Sequence, residues 1–356
     1  MRIALIHNQF IRAGGMERYL FDLVNGFADA GHDVTVICFK ADNPPPLVDN
    51  CRTILHDFTF VPKPLRRYAF DRAVRRTLRE ESFDLTIALP EIQHVDLAIC
   101  GGTHMAYLLH LNIAPTRFDK AHIKLETKAY QTAQTVVAHS AMLKDELQKL
   151  YGIPESRITT ILPPIDTQTF SRADDTQRKE CRKRFGVRED VTTILFCSTG
   201  HHRKGLLPLL EALKFLPVDQ FELLIAGREV EELSQPDAPT NARQLGYISN
   251  MAELYNAVDM TVLPALYEPF GLVAVESLQC GAPVLLSNAV GAGTLVASND
   301  GVIIEEISGQ SIADGIKELR GNPRTVTEHF AESHGLTTSA HIQALLQCHS
   351  HLQATE

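Results

Sequence analysis

The residues best placed to do chemistry lie in the stretch YEPFGLVAVESLQCGAPV at 267–284, where Glu268 and Glu276 bracket seven mostly apolar residues. A solvated helix face would repeat its charges every three or four residues and keep its apolar side chains in one stripe. Here the carboxylates interrupt a segment that otherwise reads as core. Were the whole span helical, they would stand ~12 Å apart at 1.5 Å per residue, about the length of a nucleoside carrying a sugar through phosphates. The pair could then hold hydroxyls at opposite ends of one ligand, with the helix-start amides of Gly271 and Leu272 on the phosphates between. The local alternative leaves Glu268 solvated and Glu276 capping or pairing nearby.

Two more loops have the right residue types. STGHHRKGLL at 198–207 sets Arg203 and Lys204 at the mouth of an expected helix. Cations there oppose the helix dipole, so a compensating anion is expected, and a phosphate suits the Arg fork and the Lys point charge. A solvated surface pair is the plain alternative. IRAGGMER at 11–18 sets Gly14 and Gly15 before a helix. This is either an anion-binding helix start or a flexible turn, and it is not the dinucleotide G-x-G-x-x-G pattern. A fourth segment, KPLRRYAFDRAVRRTLREE at 63–81, crowds Lys63, Arg66, Arg67, Arg72, Arg75, Arg76 and Arg79 onto one helix. It is either a solvated face packed on a sheet or a surface attracted to anionic lipid or a phosphorylated glycolipid. His201–His202 and CHSH at 348–351 contain metal-ligating types, with surface histidines as the simpler account.

These loops need strands and helices to position them. Arg2–Ile6 reads as a buried strand, Met16–Phe27 as an amphipathic helix stopping near Gly31, and Val34–Phe39 as the next strand. Strand, helix, strand in that order implies a parallel sheet. Leu85–Leu89, Val95–Cys100 and Thr135–Ala138 continue the first half as strands. Residues 171–190 are polar and lead toward a surface helix. The second half alternates again: strands at Thr193–Ser198, Phe221–Ala226, Met260–Leu263 and Val284–Ser287, and helices at Leu207–Leu216, Met251–Ala257 and Leu272–Gln279. The expectation is α/β, with two doubly wound Rossmann-like domains, 1–166 and 167–336, and a C-terminal helix at about 337–356 packing back on the first. Ligands in such sheets sit beyond the carboxyl ends of the strands, which places the expected site in a central cleft that the two domains face.

Composition narrows the class. With 356 residues, 44% hydrophobic and 22% charged, the chain is an ordinary globular protein of about two domains. A net charge of -9 argues against nucleic acid as a partner. Seven scattered cysteines with no C-x-x-C pair fit reduced thiols in the cytoplasm. The start, MRIALIHNQF, reads as a strand and not a secretory signal, and no apolar run is long enough to span a bilayer.

Taken together and in order, these motifs resemble a retaining GT-B glycosyltransferase of family 4 (glycosyltransferase group 1), similar to the lipopolysaccharide-core glucosyltransferase type. The match rests on GGMER at 14–18, VVAHSAMLKDELQKLYGIPESRITTILPPIDTQTF at 136–170, HRKG at 202–205, and the E-x7-E pair followed by GAPV. The resemblance implies transfer of a hexosyl unit from a nucleotide sugar, UDP-linked favoured, to a glycan or glycolipid acceptor with retention. By it, Gly14 and Gly15 approach the donor phosphates, and Arg203 with Lys204 neutralises the diphosphate. Glu268 binds hydroxyls of the moving sugar, and Glu276 the ribose. Tyr247 and Ile248 hold the nucleobase, and Gly271, Leu272 and Val273 complete the donor site. His104, in CGGTH, matches a position beside the reacting carbon and is counted with Glu268 as catalytic. No D-x-D motif occurs in the chain, so neither a metal nor another cofactor is expected. Arg66, Arg67, Arg72, Arg75 and Arg76 mark the acceptor or membrane surface, with the enzyme on the inner face of the plasma membrane. Two places depart from the pattern: PPID at 163–166, and AGRE at 226–229, which bears on base preference. A GT-B isomerase or phosphorylase, or a non-catalytic sugar-nucleotide-binding partner subunit, are the other readings.

Overall fold

The computed structural model describes residues 1–11, 15–41, 51–234 and 238–353. The chain divides into two compact units, Met1–Pro164 with Gly335–Glu356, and Ile165–His334.

Unit 1 is built on a seven-stranded parallel sheet. Its strands are β1 (Arg2–Ile6), β2 (Asp33–Cys38), β3 (Cys51–Leu55), β4 (Leu85–Ala88), β5 (Leu97–Cys100), β6 (Thr135–Ala138) and β7 (Ile158–Thr160), in the order β3-β2-β1-β4-β5-β6-β7. Alternation along β1 explains its unbroken apolar run. Ile3 and Leu5 face one core, Ala4 and Ile6 the other, so both faces are covered. Helix α1 (Gly15–Asp29) buries Leu20, Leu23, Val24 and Phe27 on one stripe. Helices α2 (Arg66–Glu80), α3 (His104–His110), α4 (Arg117–Thr132) and α5 (Ala141–Tyr151) follow in order.

In unit 2 the polar connection yields α6 (Asp175–Arg184), and a six-stranded parallel sheet follows. Its strands are β8 (Thr192–Ser198), β9 (Phe221–Gly227), β10 (Ala242–Gly246), β11 (Met260–Leu263), β12 (Val284–Ser287) and β13 (Gly301–Ile304), ordered β10-β9-β8-β11-β12-β13. The helices are α7 (His201–Lys204), α8 (Leu206–Ala212), α9 (Met251–Ala257), α10 (Leu272–Gln279), α11 (Gly309–Gly321) and α12 (Phe330–Ser333). Ile194 and Phe196 of β8 serve one core and Leu195 and Cys197 the other. The helix expected over 207–216 is shorter: α8 ends at Ala212 and a 3₁₀ turn, Leu213–Phe215, follows. Pro217 disfavours helical backbone at the residue before it and so closes the segment.

The last helix, α13 (Thr338–Gln353), belongs to unit 1, where Ile342, Leu345 and Cys348 join the core beneath α1. A Cβ at Gly26 of α1 would stand 2.6 Å from Ile342 Cγ1, so the bare backbone lets the two helices approach. The helix is also tied by a buried polar cluster. Tyr19 Oη lies 2.7 Å from His341 Nε2, and His341 Nδ1 lies 2.8 Å from the Leu162 carbonyl. The His139 ring meets Tyr19 edge-on, 5.0 Å between centroids.

Candidate active site

In both sheets the strand order reverses beside the first strand, and crevices open where loops leave in opposite directions. In unit 2 that point lies between β8 and β11. The loop after β8 carries HHRKG, and the loop after β11 carries YEPFG. They are locked together: the Leu266 N–H donates to the Arg203 carbonyl at 2.8 Å. Gly205 has φ +81°, and a Cβ there would fall 1.9 Å from the Pro264 carbonyl oxygen. Only glycine fits that contact.

Arg203 and Lys204 stand directly before α8, as the sequence suggested. They end the single turn α7, with Gly205 breaking it before α8. Their charge is met from within the protein. Arg203 Nη1 lies 2.9 Å from Glu268 Oε2 and also donates to the Tyr267 carbonyl at 2.7 Å. Lys204 Nζ is 3.7 Å from the same carboxylate oxygen and donates to the Cys197 carbonyl at 3.5 Å. The three side chains are 26%, 14% and 14% exposed, so a hard-to-hydrate triad faces outward at the switch point.

Glu268 reaches this position because it lies ahead of the helix, whose start at Leu272 is the one read from the sequence. Its N–H donates to Ala289 and its carbonyl accepts from Gly291, a bridge onto the segment after β12. Gly271, at φ +99°, turns the chain into α10, which starts at Leu272. Glu276, one turn inside, is 9% exposed and accepts from Tyr255 Oη at 3.0 Å. Burial and the Glu276 charge push the Tyr255 phenol well above its ordinary range, so it stays a donor. A recess of 190 Å³ joins Ser198, Lys204, Tyr247, Ile248, Val273 and Glu276. Tyr247 is 81% exposed at its rim, and Ile248 packs into the apolar cluster behind it. Burial pushes the Cys197 thiol in its wall up to about 12, so it is not a nucleophile. The AGRE turn keeps the one glycine it needs: a Cβ at Gly227 would lie 2.1 Å from the Ser198 carbonyl.

Unit 1 holds the remaining positions. Gly15 opens α1, with no atom within 4 Å of where its Cβ would be; Gly14 lies outside the described residues. His104 opens α3, half-buried, its Nε2 2.8 Å from Asp119 Oδ1. Its backbone N–H donates to both Glu126 oxygens at 3.2 and 3.3 Å. Its ring lies 4.3 Å from that of His122, whose Nε2 is 2.8 Å from Glu91 Oε1. Burial pushes Glu126 up to about 7, against hydrogen bonds from Tyr151 and the His104 amide. Burial also pushes Glu91 up, but the His122 hydrogen bond and the Arg67 charge outweigh it and hold that carboxyl below its ordinary value.

None of Glu91, Asp119, His122 or Glu126 was singled out in the sequence. Two local signals existed: T-x-x-D at 116–119, a capping box that the structure forms, and His122 with Glu126 one helical turn apart. Glu91, His122 and Glu126 offer ligand atoms within 4.8 Å of one another, a set that could take a divalent cation. Those groups are already engaged by each other, Tyr151 and the His104 amide.

The basic helix is less charged than its sequence. Arg75 pairs with buried Asp71 at 2.8 Å, Arg76 with Glu80 at 2.7 Å, and Arg67 lies 3.8 Å from Glu91. Arg66 donates to the Val61 carbonyl, and Arg72 is exposed. The expectation of surface histidines in CHSH fails at His349, which is 6% exposed. No helix among the described residues is long and apolar enough to cross a membrane.

Comparison with known proteins identifies the family and the architecture. Residues 13–169 match the profile of Glycosyltransferase Family 4, and residues 177–332 that of Glycosyl transferases group 1. A probable transglycosylase of Burkholderia thailandensis is 37% identical over 83% of this chain and 80% of its own. The crystal structure of WaaG, a glycosyltransferase involved in lipopolysaccharide biosynthesis, superposes with a TM-score of 0.77 at 18% identity, covering 99% of this chain and 95% of that one. Anabaena HepE in complex with UDP-glucose gives 0.72 at 17% identity, covering 100% and 99%. At those identities the solved structures establish shared architecture, two parallel-sheet α/β domains of GT-B type. With both halves matched in order and a relative of this similarity, the chain belongs to the group 1 glycosyltransferases, with a family 4 amino-terminal domain.

Proposed function

We propose that the protein moves a hexosyl unit from a UDP-sugar to a hydroxyl of a glycan or glycolipid, with retention and without a bound metal, in assembly of lipopolysaccharide core or surface polysaccharide. The observation that carries this is the convergence of Arg203 and Lys204 on Glu268 at the unit 2 switch point, beside a recess floored by Glu276 and Tyr255. A leaving nucleoside diphosphate develops negative charge, and fixed cations in a poorly hydrated site stabilise it with little reorganisation. Glu268 serves the sugar hydroxyls, Glu276 the ribose, Tyr247 and Ile248 the base, and Gly271, Leu272 and Val273 give backbone close to the phosphates. HepE holding UDP-glucose and WaaG acting in lipopolysaccharide biosynthesis support the choice of donor and setting.

Calorimetry with UDP, ADP and GDP, each with and without EDTA, tests it. UDP should bind best, EDTA should change nothing, and Lys204→Ala should weaken UDP by about 1.5–3 kcal/mol, the worth of a charge-assisted contact. Unchanged UDP affinity in that variant removes the phosphate assignment, and EDTA sensitivity removes metal independence.

We infer in addition that unit 1 meets an anionic membrane, placing a cytoplasmic enzyme on the inner face of the plasma membrane. Phe60 is 95% exposed, Phe118 73% and Leu65 54%, large apolar side chains beside Lys63, Arg66, Arg72 and Lys120. Tyr68 Oη donates to the Ala121 carbonyl and ties α2, which follows Phe60 and Leu65, to α4, which bears Phe118. Apolar insertion plus basic charge is the composition of an interfacial surface. Arg72→Glu with Phe118→Ser should reduce pelleting with phosphatidylglycerol vesicles, and equal pelleting refutes this part. Arg75 and Arg76, already paired, are poorer probes.

A further inference from the structure

We propose that Asp119 fixes the tautomer of His104, so that the imidazole presents an unprotonated Nδ1 to a neutral sugar hydroxyl. This rests on the reading above of His104 as part of the transfer site.

The argument begins with the carboxylate. Asp119 Oδ2 accepts from the Thr116 N–H at 2.8 Å and from the Thr116 hydroxyl at 2.6 Å. Oδ1 is left for His104 Nε2 at 2.8 Å. The Thr116 side chain and backbone, then His104, hold the Asp119 carboxyl down at about 2, so it is an acceptor only. An acceptor opposite Nε2 requires the imidazole proton to sit there. In neutral histidine that leaves Nδ1 as a lone-pair acceptor, and among the described residues it has no hydrogen-bond partner.

The ring is held at both ends as well as at its edge. Its backbone N–H is anchored on Glu126, and Thr103 caps the helix that it begins. On its face lies His122, itself pinned by Glu91. Tyr107 stacks at 6.1 Å. Helix α4, the His104 helix itself and, through His122, the loop bearing Glu91 thus hold one side chain that remains 21% exposed. An exposed acceptor in a fixed direction recognises an O–H donor. It repels phosphate and carboxylate oxygens, which offer no proton. The ligand class it selects is therefore a polyol, here a sugar hydroxyl.

Capping alone would also explain Asp119, and Asp119→Asn separates the two roles. Asparagine keeps the carbonyl for Thr116 but turns an N–H₂ toward Nε2. The His104 proton must then move to Nδ1, replacing the acceptor by a donor. Nitrogen-15 NMR of the whole protein should show His104 protonated at Nε2 in the wild type and at Nδ1 in Asp119→Asn. With UDP-glucose as the probe, glucose release should fall about tenfold in kcat, one hydrogen bond's worth, while UDP affinity holds. Thr116→Val, which removes the cap hydroxyl but leaves the carboxylate, should retain the wild-type tautomer and rate. Wild-type His104 protonated at Nδ1 overturns the proposal. If His104→Gln is slow but Asp119→Asn is not, Asp119 only caps, and the proposal falls while the transferase reading stands. If His104→Gln releases glucose at the wild-type rate, the proposal and the assignment of His104 to the transfer site both fall, while the phosphate assignment of Arg203 and Lys204 stands.

Discussion

The two units share one strand order and differ in where their candidate groups gather, at the switch point between β8 and β11 in unit 2 and one strand further along, after β5, in unit 1. In unit 2 two adjacent loops meet backbone to backbone and aim Arg203, Lys204 and Glu268 at one spot, two cations against one carboxylate. In unit 1 the side chains around His104 come from four elements and are mostly neutral-to-anionic, joined edge to edge by hydrogen bonds. The first arrangement suits a multiply charged ligand that replaces an internal counterion. The second suits an uncharged ligand that must be oriented. One fold therefore supports two chemistries through the side chains that its strand-to-helix loops carry.

The sharpest way to break this contrast is steric. Gly205→Ala puts a methyl 1.9 Å from the Pro264 oxygen at a left-handed φ, and both must give. A loss of about 3 kcal/mol or more is expected, read by urea unfolding, with UDP binding lost alongside. Gly15→Ala meets open space at the start of α1 and should change stability by no more than about 1 kcal/mol. If it nevertheless lowers turnover, the close backbone approach assigned to Gly15 is supported. Equal destabilisation by the two would show that the loops of unit 1 are as tightly built as those of unit 2.

A smaller effect sharpens the electrostatic half. If Glu268 is a counterion that the diphosphate displaces, Glu268→Gln should free Arg203 and Lys204 and tighten UDP about threefold to tenfold, while abolishing sugar transfer. The gain should shrink as salt rises, since the groups are only partly buried. Weaker UDP binding in this variant would mean that Glu268 holds the cations in place instead of competing for them.

The same contrast governs what was legible in the sequence. Thr135–Ala138, Met251–Ala257, Met260–Leu263, Leu272–Gln279 and Val284–Ser287 are found as read, because each apolar run is closed by polar or turn-forming residues. The unit 2 site was legible too, since its charges sit in two short loops with glycines fixing the backbone. What spacing could not show was that Arg203 and Lys204 close on Glu268, 65 and 64 positions away along the chain. In unit 1 the helices α3, α4 and α5 were not read, and with them went Asp119, His122 and Glu126. Those residues matter through contacts spanning 15 to 31 positions, Asp119 with His104 and His122 with Glu91, and no local period encodes them. The pairing of Arg67, Arg75 and Arg76 was hidden in the same way, although Arg76 and Glu80 stood one turn apart in plain view.

The smallest effect concerns the protons buried in unit 1. Burial, with the His341 charge, lowers His139 to about 3, and burial lowers His341 to about 4, from 6.5 in the unfolded chain. Between about pH 4 and 6.5 the unfolded chain therefore binds more protons at these sites. Their contribution to stability is complete above 6.5 and is lost as pH falls. Glu126 works in the opposite direction. Its folded value of about 7 lies above its unfolded 4.5, so its contribution is present below 4.5 and is lost as pH rises toward 7. In the shared window the two histidines supply roughly two protons of slope and Glu126 cancels about one. Glu126→Gln should then steepen the acid-side fall in unfolding free energy by about 1.4 kcal/mol per pH unit, measured by urea titration from pH 5 to 6.5. The slope, not the absolute stability, is the readout, because loss of the Tyr151 contact shifts every point alike. An unchanged slope would mean that Glu126 is ionised in the folded protein, and that unit 1 carries more negative charge around His104 than a site for an uncharged ligand should.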